Sequence, residues 1–170
     1  MSVGIFYGSS GGTTRNAAEK LERFFEDAEV IDMEEDFDDI DQILEFDHLI
    51  LGSSTWGQGD VQRDWVDPLY EMENDEPDFS GKKVAFFGAG DQDTHGEHFV
   101  SALGKMHDLF TKLGAEAYGF VPTDGYSYEA SLAIKEGAFC GLPIDDVNQE
   151  ELTDKRIENW ATQLKTEMGI

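Results

Sequence analysis

The sequence predicts an α/β fold with a doubly wound parallel sheet of five strands. Short apolar runs alternate with amphipathic helical segments, and this alternation is typical of strands joined by right-handed helical crossovers. Three of the apolar runs end in polar, glycine-containing loops, and ligands bind such sheets at the carboxyl ends of the strands. At 170 residues the chain has the length of one domain with a substantial core. We therefore expect a single domain over residues 1–170, with its site at one edge of the sheet.

The first predicted strand leads into the segment with the clearest binding signal. Residues 3–8 are mostly apolar, and helical spacing of apolar residues begins at Ala17. The loop between them can bind an anion, because the first amides of a helix have no partner within the helix and carry partial positive charge. The loop residues that we expect to contact a ligand are Ser9, Ser10, Gly11, Gly12, Thr13 and Thr14.

The kind of ligand follows from what this loop contains and lacks. It has no lysine for a Walker motif, and its glycines do not fit the dinucleotide pattern Gly-x-Gly-x-x-Gly. Hydroxyls and backbone amides suit one phosphate group better than a triphosphate or a pyrophosphate. An ordinary Ser/Gly-rich turn that caps the helix is the alternative interpretation.

The second and third predicted strands cover residues 29–32 and 46–53. The acidic segment 34–41 lacks the glycine and spacing of a calcium loop, so we interpret it as a solvated surface that leads into a short helix. The third strand ends in a polar loop whose candidate contacts are Ser54, Thr55, Trp56, Gly57, Gln58 and Gly59. Helical spacing returns around Trp65, which we place in the core, with Pro68 near the helix start or at a kink.

The fourth predicted strand, residues 83–88, also ends in a glycine-rich polar loop. Its candidate ligand contacts are Gly88, Ala89, Gly90, Asp91, Gln92 and His95. The clearest amphipathic helix follows from Phe99 to Leu113, and Gly114 ends it. Because the carboxyl ends of parallel strands meet at one edge, the three loops lie together. Their hydroxyls, tryptophan, carboxylate and imidazole favour a planar aromatic ligand that carries one phosphate.

The last third of the chain is less regular. We predict a fifth strand over residues 117–121, then a stretch without clear periodicity, and a further strand over residues 138–142. The final helix is expected to be capped by Thr153 and to end at Gly169.

The charge balance excludes several classes of partner. Lys and Arg total 12 against 37 Asp and Glu, a net charge of -25, which repels nucleic acids and anionic membranes and attracts basic proteins. Halophilic adaptation is the alternative explanation. Cys140 is the single cysteine, and no signal peptide or membrane-spanning run is evident, so we expect a cytoplasmic monomer. His48, His98 and His107 have no evident partners and are interpreted as surface or packing residues.

Several motifs together are similar to those of one known family. They are Phe6-Tyr-Gly-Ser-Ser-Gly-Gly-Thr-Thr14, Ser54-Thr-Trp56 with Asp64-Trp65, Gly88-Ala-Gly-Asp-Gln92, and Thr123-Asp-Gly-Tyr126 with Gly141-Leu-Pro-Ile-Asp145. On these residues the chain resembles the flavodoxin family over essentially its whole length. The resemblance implies a flavodoxin-like sheet of order 2-1-3-4-5, whose fifth strand is interrupted by a long loop at about residues 122–138. It also implies low-potential one-electron transfer by noncovalently bound FMN, mainly between semiquinone and hydroquinone, without substrate chemistry.

The resemblance further implies roles for the candidate residues and for partners. The phosphate lies on the first of the three loops and the isoalloxazine ring lies between the other two. Trp56 stacks on the ring, Asp91 and Gln92 surround its pyrimidine edge, and the Gly57 peptide turns its carbonyl towards N5 of the ring, which glycine permits. The implied partners are a ferredoxin-NADP reductase-like donor and a low-potential acceptor, each docking through a basic surface.

Two residues depart from the family pattern. Gly11 stands where a hydroxyl residue is usual, which removes one hydrogen bond to the phosphate, about 1 kcal/mol. His95 stands where long-chain members have a second stacking tyrosine. An imidazole there either stacks or points to solvent, and its titration can couple to flavin reduction.

Two other functions stay open from the sequence alone. An FMN-dependent NAD(P)H quinone or azo reductase shares the fold, but the extended loop at 122–138 and the tryptophan-containing loop favour the carrier. A receiver-like regulatory domain needs an acidic cluster after the first strand and a phosphoacceptor aspartate after the third. This chain has Ser9-Ser10 and Ser53-Ser54 at those places.

Overall fold

The computed structural model describes residues 2–170. Its strands are β1 (Val3–Gly8), β2 (Glu29–Asp32), β3 (His48–Ser53), β4 (Thr55–Trp56), β5 (Asp60–Val61), β6 (Lys83–Ala89), β7 (Glu116–Tyr118), β8 (Val121–Pro122), β9 (Ile134–Lys135), β10 (Ala138–Phe139) and β11 (Gly141–Ile144). Its α-helices are α1 (Thr13–Glu22), α2 (Ile40–Leu44), α3 (Arg63–Asp75), α4 (Ser101–Lys112) and α5 (Glu150–Met168). Across residues 2–170, none of these helices has both the length and the apolar character needed to cross a membrane.

Alternation along the central strands divides the core into two layers. Phe6 and Phe86 face one side of the sheet and Ile5 and Phe87 face the other, because successive side chains of a strand point to opposite faces. Helices α2, α3 and α4 cover the first side, and α1 and α5 cover the second. Strands β1 and β3 are buried along their whole length, as expected where helices lie on both faces of a parallel sheet.

Two short strands share the fifth position of the sheet. The sheet runs β2, β1, β3, β6, and both β7 and β11 pair with β6 in parallel. Glu116 of β7 pairs with Lys83, whereas Gly141 of β11 pairs with Phe86 further along β6. Residues 119–140 form the insertion between them. The predicted doubly wound sheet of order 2-1-3-4-5, with an interrupted fifth strand, is confirmed.

Two predicted strand boundaries near this insertion are wrong. The strand predicted over residues 117–121 ends at Tyr118, because Val121 pairs with Phe139 in a small antiparallel sheet of β8, β10 and β9. The strand predicted over residues 138–142 is divided between that small sheet and β11. The apolar runs were recognisable, but their pairing partners decide where each strand ends.

The helices follow their predicted apolar faces with shifted ends. Helix α5 begins after Gln149, and Thr153 is not its cap: it lies buried inside the helix, where its hydroxyl donates to Asp146. Helix α4 begins two residues later than predicted. Trp65 of α3 is fully buried, as predicted, and Pro68 is accommodated within the same helix.

Candidate functional site

A cleft of about 240 Å³ opens among the loops that follow β1, β3 and β6. The carboxyl ends of these adjacent strands bring the loops together, as expected for a parallel sheet. The candidate residues that line the cleft are Ser9, Gly11, Thr13, Thr14, Ser54, Thr55, Trp56, Gly57, Ala89, Gly90, Asp91 and His95. Hydroxyls, an indole, a carboxylate and an imidazole therefore meet at one site.

The loop after β1 delivers the N-terminus of α1 to the cleft. Gly12 precedes this helix with a φ of 94° and makes no side-chain cap bond to its first turn. The Gly12 amide itself donates to Ser9 Oγ at 3.1 Å. The first turn carries no acidic residue, although 37 of the 170 residues are Asp or Glu. A Cβ built at Gly11 or Gly12 meets no atom of the described chain within 4 Å. The backbone amides of this first turn can therefore donate hydrogen bonds to a bound anion.

The loop after β3 is a two-stranded hairpin of β4 and β5. Trp56 pairs with Asp60 across it, and Gly57 and Gly59 supply positive φ angles of 52° and 91° in its turn. The Trp56 side chain is 49% exposed, and its indole N–H donates to Ser54 Oγ at 2.7 Å. A half-exposed indole that lines a cleft provides a stacking surface for a planar ligand.

The loop after β6 is anchored to neighbouring elements of the sheet. The Gly90 amide donates to the Ile144 carbonyl at 2.8 Å, at the end of β11. The Ala89 amide donates to Thr14 Oγ1 at 3.3 Å, in the first turn of α1. These bonds connect the wall that contains Ala89 and Gly90 both to the anion loop and to the last strand.

Asp91 adds a negative charge to the cleft wall. Burial raises the pKa of this carboxyl, but hydrogen bonds from the Thr94 amide and the Asn148 side chain lower it by more, so the net shift is downward. Asp91 is therefore ionised at neutral pH, and it disfavours the accumulation of further negative charge nearby.

Two reactive features, a metal cluster and a cysteine thiol, are not found at the cleft among the described residues. Within residues 2–170 no cluster of three or more His, Cys, Asp or Glu side chains is arranged to hold a metal ion. Cys140 is buried away from the cleft, and burial raises the pKa of its thiol to about 12, so this thiol is a poor nucleophile.

Sequence similarity to known proteins extends over most of the chain. The sequence profile described as Flavodoxin matches residues 5–160. The chain belongs to the flavodoxin family. Flavodoxin 1 of Azotobacter vinelandii is 53% identical over 167 residues, which cover 97% of this chain and 96% of that one. A flavodoxin of a Picosynechococcus species is 40% identical over 172 residues, with 99% and 98% covered.

Solved flavodoxin structures share the arrangement described above. The crystal structure of Fusobacterium nucleatum flavodoxin bound to flavin mononucleotide is 35% identical in sequence to this chain. It aligns with a TM-score of 0.90 over 98% of each chain. This agreement extends over nearly the whole of both chains.

The other candidate residues do not line the cleft. They are Ser10, Gly12, Gln58, Gly59, Gly88 and Gln92. Gln92 was expected at the edge of the ligand, but its side chain is buried and donates to Asp145 at 2.9 Å. Gly88 serves the packing of the sheet, because a Cβ there would lie 1.9 Å from the Ser53 carbonyl oxygen. Ser10 Oγ accepts from the Gln62 side chain at 3.1 Å.

Five residues that line the cleft were missed from the sequence. They are His98, Phe99, Val100, Asp146 and Val147. His98 was interpreted as a surface or packing residue, and the structure places it, partly exposed, at the cleft. Val147 is 71% exposed in a polar turn, and an apolar residue in such a turn is the one local signal that could have been used. The turn reaches the cleft only because β11 lies beside β6.

Proposed function

We propose that this chain is an electron carrier that binds FMN noncovalently in the cleft and transfers one electron at a time at low potential. The observation that carries this proposal is that an uncapped helix N-terminus and a half-exposed tryptophan line the same cleft. The first suits a phosphate and the second suits a planar ring, and FMN contains both. The similar Fusobacterium nucleatum protein is a flavodoxin bound to flavin mononucleotide.

The donors around the anion loop fit one phosphate ester. The hydroxyls of Ser9, Thr13 and Thr14 line the cleft beside the amides at the start of α1. The cation in this turn, Arg15, is engaged by Glu19 at 3.2 Å. Neutral donors would therefore hold the phosphate, which suits a monoester better than a polyphosphate.

Bound FMN supplies the one-electron chemistry, and the chain's own residues set its conditions. Trp56 would cover one face of the ring and exclude water from it. The backbone carbonyl of Gly57 would accept a hydrogen bond from the ring, and glycine allows this peptide to reorient at low cost. Asp91 and the net charge of -25 would oppose added negative charge on the ring, which lowers the reduction potential.

The partners that we infer are redox proteins with basic surfaces. A net charge of -25 would attract such proteins and steer them by long-range electrostatics. Trp56 and Val147 are exposed residues of the cleft, so a partner can approach the ligand closely there. We infer a ferredoxin-NADP reductase-like donor and a low-potential acceptor, encountered by a monomer in the cytoplasm, with no role for nucleic acid or membrane.

Stepwise anaerobic reduction of the purified protein with FMN tests this function. We expect the absorption spectrum to pass through that of a one-electron-reduced flavin, and we expect no oxidation of NAD(P)H unless a reductase is added. Direct bleaching to the two-electron form with consumption of NAD(P)H would instead identify a reductase. Failure to take up FMN would overturn the cofactor assignment.

A further inference from the structure

One buried carboxylate joins two segments of the cleft wall. Asp145 follows β11 and has no exposed surface. Its Oδ2 accepts from the backbone amide and from the side-chain amide of Gln92, both at 2.9 Å. Its Oδ1 accepts from the amides of Val147 and Asn148 at 3.2 and 3.0 Å. The loop after β6 and the turn after β11 are thus fastened to the same side chain.

Asn148 extends this connection to the surface of the cleft. Its side-chain amide donates to Asp145 Oδ2 and to Asp91 Oδ1, each at 2.9 Å. Asp91 and Val147 both line the cleft. Asp145 holds the Val147 amide directly and holds Asp91 through Asn148. Asp145 is not among the residues that line the cleft, so its effect on binding would act through these neighbours.

The chemistry of this position requires a group that only accepts. Five hydrogen bonds converge on the two oxygens of Asp145, and a carboxylate has about four lone-pair sites for them. Asparagine has the same shape, but its NH₂ group would face amide donors at either oxygen position. No ion pair of the described chain involves Asp145. Burial of a carboxylate without a cation carries a desolvation penalty, so stability alone does not explain this residue.

We propose that Asp145 is a positioning residue that fixes the spacing between the Asp91 and Val147 sides of the cleft and thereby sets its fit to the flavin ring. This inference rests on the proposed FMN site. The carboxylate orients the backbone of both segments before the ligand binds, so its loss should widen the range of cleft shapes and weaken binding.

The variant Asp145→Asn tests this role in the full-length protein with its FMN. We expect the dissociation constant, measured from flavin fluorescence released on dilution, to rise at least about tenfold. We also expect the visible circular dichroism of the bound flavin to change, because the ring would be held less uniformly. Asn148→Ala removes the two side-chain bonds of Asn148, to Asp91 and to Asp145, and leaves the other four bonds to Asp145 in place. It should give a smaller change in the same direction, and it serves if Asp145→Asn does not fold.

Trp160→Phe is the matched control. It removes a buried hydrogen bond of 2.8 Å to the Gly119 carbonyl, in a helix face that does not line the cleft. We expect it to lower the urea midpoint but to leave FMN affinity and the flavin dichroism unchanged. Equal loss of affinity in Trp160→Phe and Asp145→Asn, or no loss in Asp145→Asn and Asn148→Ala, would overturn the proposal.

Amide hydrogen exchange of the full-length chain without added FMN separates this inference from the proposed function. Asp145→Asn should accelerate exchange at Gln92, Val147 and Asn148 relative to Trp160→Phe, whether or not FMN binds. Failure of the unmodified protein to bind FMN would overturn the proposed function. Unchanged exchange at the three amides would overturn the role of Asp145 itself.

Discussion

Helix termini differ at the two ends of the central sheet. At the amino end of the strands, Lys82 Nζ donates to the carbonyl of Leu44 at the end of α2, at 2.7 Å, and to that of Phe46 just beyond it, at 2.8 Å. Lys83 Nζ donates to the carbonyl of Met168 at 3.0 Å, at the end of α5. At the carboxyl end, α1 begins after Gly12, which makes no side-chain cap bond to the amides of the first turn.

This difference separates stability from binding within one fold. Free helix carbonyls at the amino end are closed by lysine side chains, which satisfies orphan acceptors and opposes the negative end of the helix dipole. Free amides at the carboxyl end are left open to the cleft, where a phosphate can satisfy them. Changes at the carboxyl end should therefore alter ligand binding, whereas changes at the amino end should alter only stability.

Thr13→Asp should have the largest effect on FMN binding. A carboxylate at the first position of α1 interacts favourably with the helix dipole, so the protein without FMN should become slightly more stable. The same charge repels the phosphate, and we expect FMN affinity to fall about 100-fold. Isothermal titration calorimetry measures the affinity, and urea unfolding measures the stability.

Thr13→Val is the control for this substitution, because it removes the hydroxyl without adding charge and should cost about 1 kcal/mol of binding. Undiminished FMN affinity in Thr13→Asp would show that the phosphate does not lie at this helix start.

Gly57→Ala tests the part of the cleft that would hold the flavin ring rather than the part that would hold the phosphate. The φ of 52° at this position, and an Asp60 oxygen 3.0 Å from a built Cβ, make alanine unfavourable. We expect a penalty of about 1 kcal/mol, or roughly 40 mV in the one-electron couples. Spectroelectrochemistry should show a smaller fraction of one-electron-reduced flavin.

Gly137→Ala is the matched control, because Gly137 also has a positive φ, 85°, but lies in the insertion with no described atom within 4 Å of a Cβ. We expect both variants to lose a similar amount of stability. Only Gly57→Ala should change the reduction potential of the bound flavin. Identical potentials in the two variants would contradict the role of Gly57.

Lys83→Met tests the amino end. Loss of the bond to the Met168 carbonyl should lower the free energy of unfolding by about 1 kcal/mol and leave FMN affinity unchanged. Lys112→Met, at an exposed lysine in the last turn of α4, should lose only a favourable charge at the helix end, about 0.3 kcal/mol, and should leave FMN affinity unchanged. A fall in FMN affinity in Lys83→Met would show that the two ends of the sheet are coupled.

His48→Leu should have the smallest effect, and it concerns pH. Burial lowers the pKa of His48 and the charge of Lys83 adds to the lowering. Hydrogen bonding to the backbone of Ser2 and Met168 and the charge of Asp47 partly oppose it. Its Nδ1 is buried without a hydrogen-bond partner among residues 2–170. The folded state therefore favours neutral histidine, so stability should be constant above about pH 6.5 and fall as the pH decreases below it.

Urea unfolding at a series of pH values measures this contribution. His48→Leu should flatten the dependence between pH 7 and pH 5, whereas FMN affinity at pH 7 should not change. A slope equal to that of the unmodified protein would assign the pH dependence to other groups.

The strand–helix alternation and the position of the cleft could be predicted from local signals, whereas the order of the central sheet was implied by the family resemblance. Strands β1 and β3 are continuous apolar runs followed by glycine and hydroxyl residues, and their burial leaves few alternatives. The limits of the fifth strand could not be predicted, because residues 117–121 and 138–142 are similar apolar runs. Only pairing with β6 or with the small sheet decides which residues belong to it.

Tertiary contacts decide the direction of several side chains near the predicted site. Gln92 follows a cleft-lining loop in sequence, but the buried carboxylate of Asp145 draws its amide away from the cleft. His98 lines the cleft from the 3₁₀ turn Gly96–His98, and Val147 lines it from the turn after β11. Neither contact has a local sequence signal strong enough to be recognised without the fold.

The relative affinities of FMN and riboflavin test whether the cleft holds a phosphate, because the two ligands share the ring and differ in the phosphate. Titration of the FMN-free protein, followed by flavin fluorescence, should show FMN binding at least about 100-fold more tightly than riboflavin. Thr13→Asp should remove most of this difference. Equal affinities for FMN and riboflavin in the unmodified protein would contradict the claim that the open helix start at the carboxyl end of the sheet holds a phosphate.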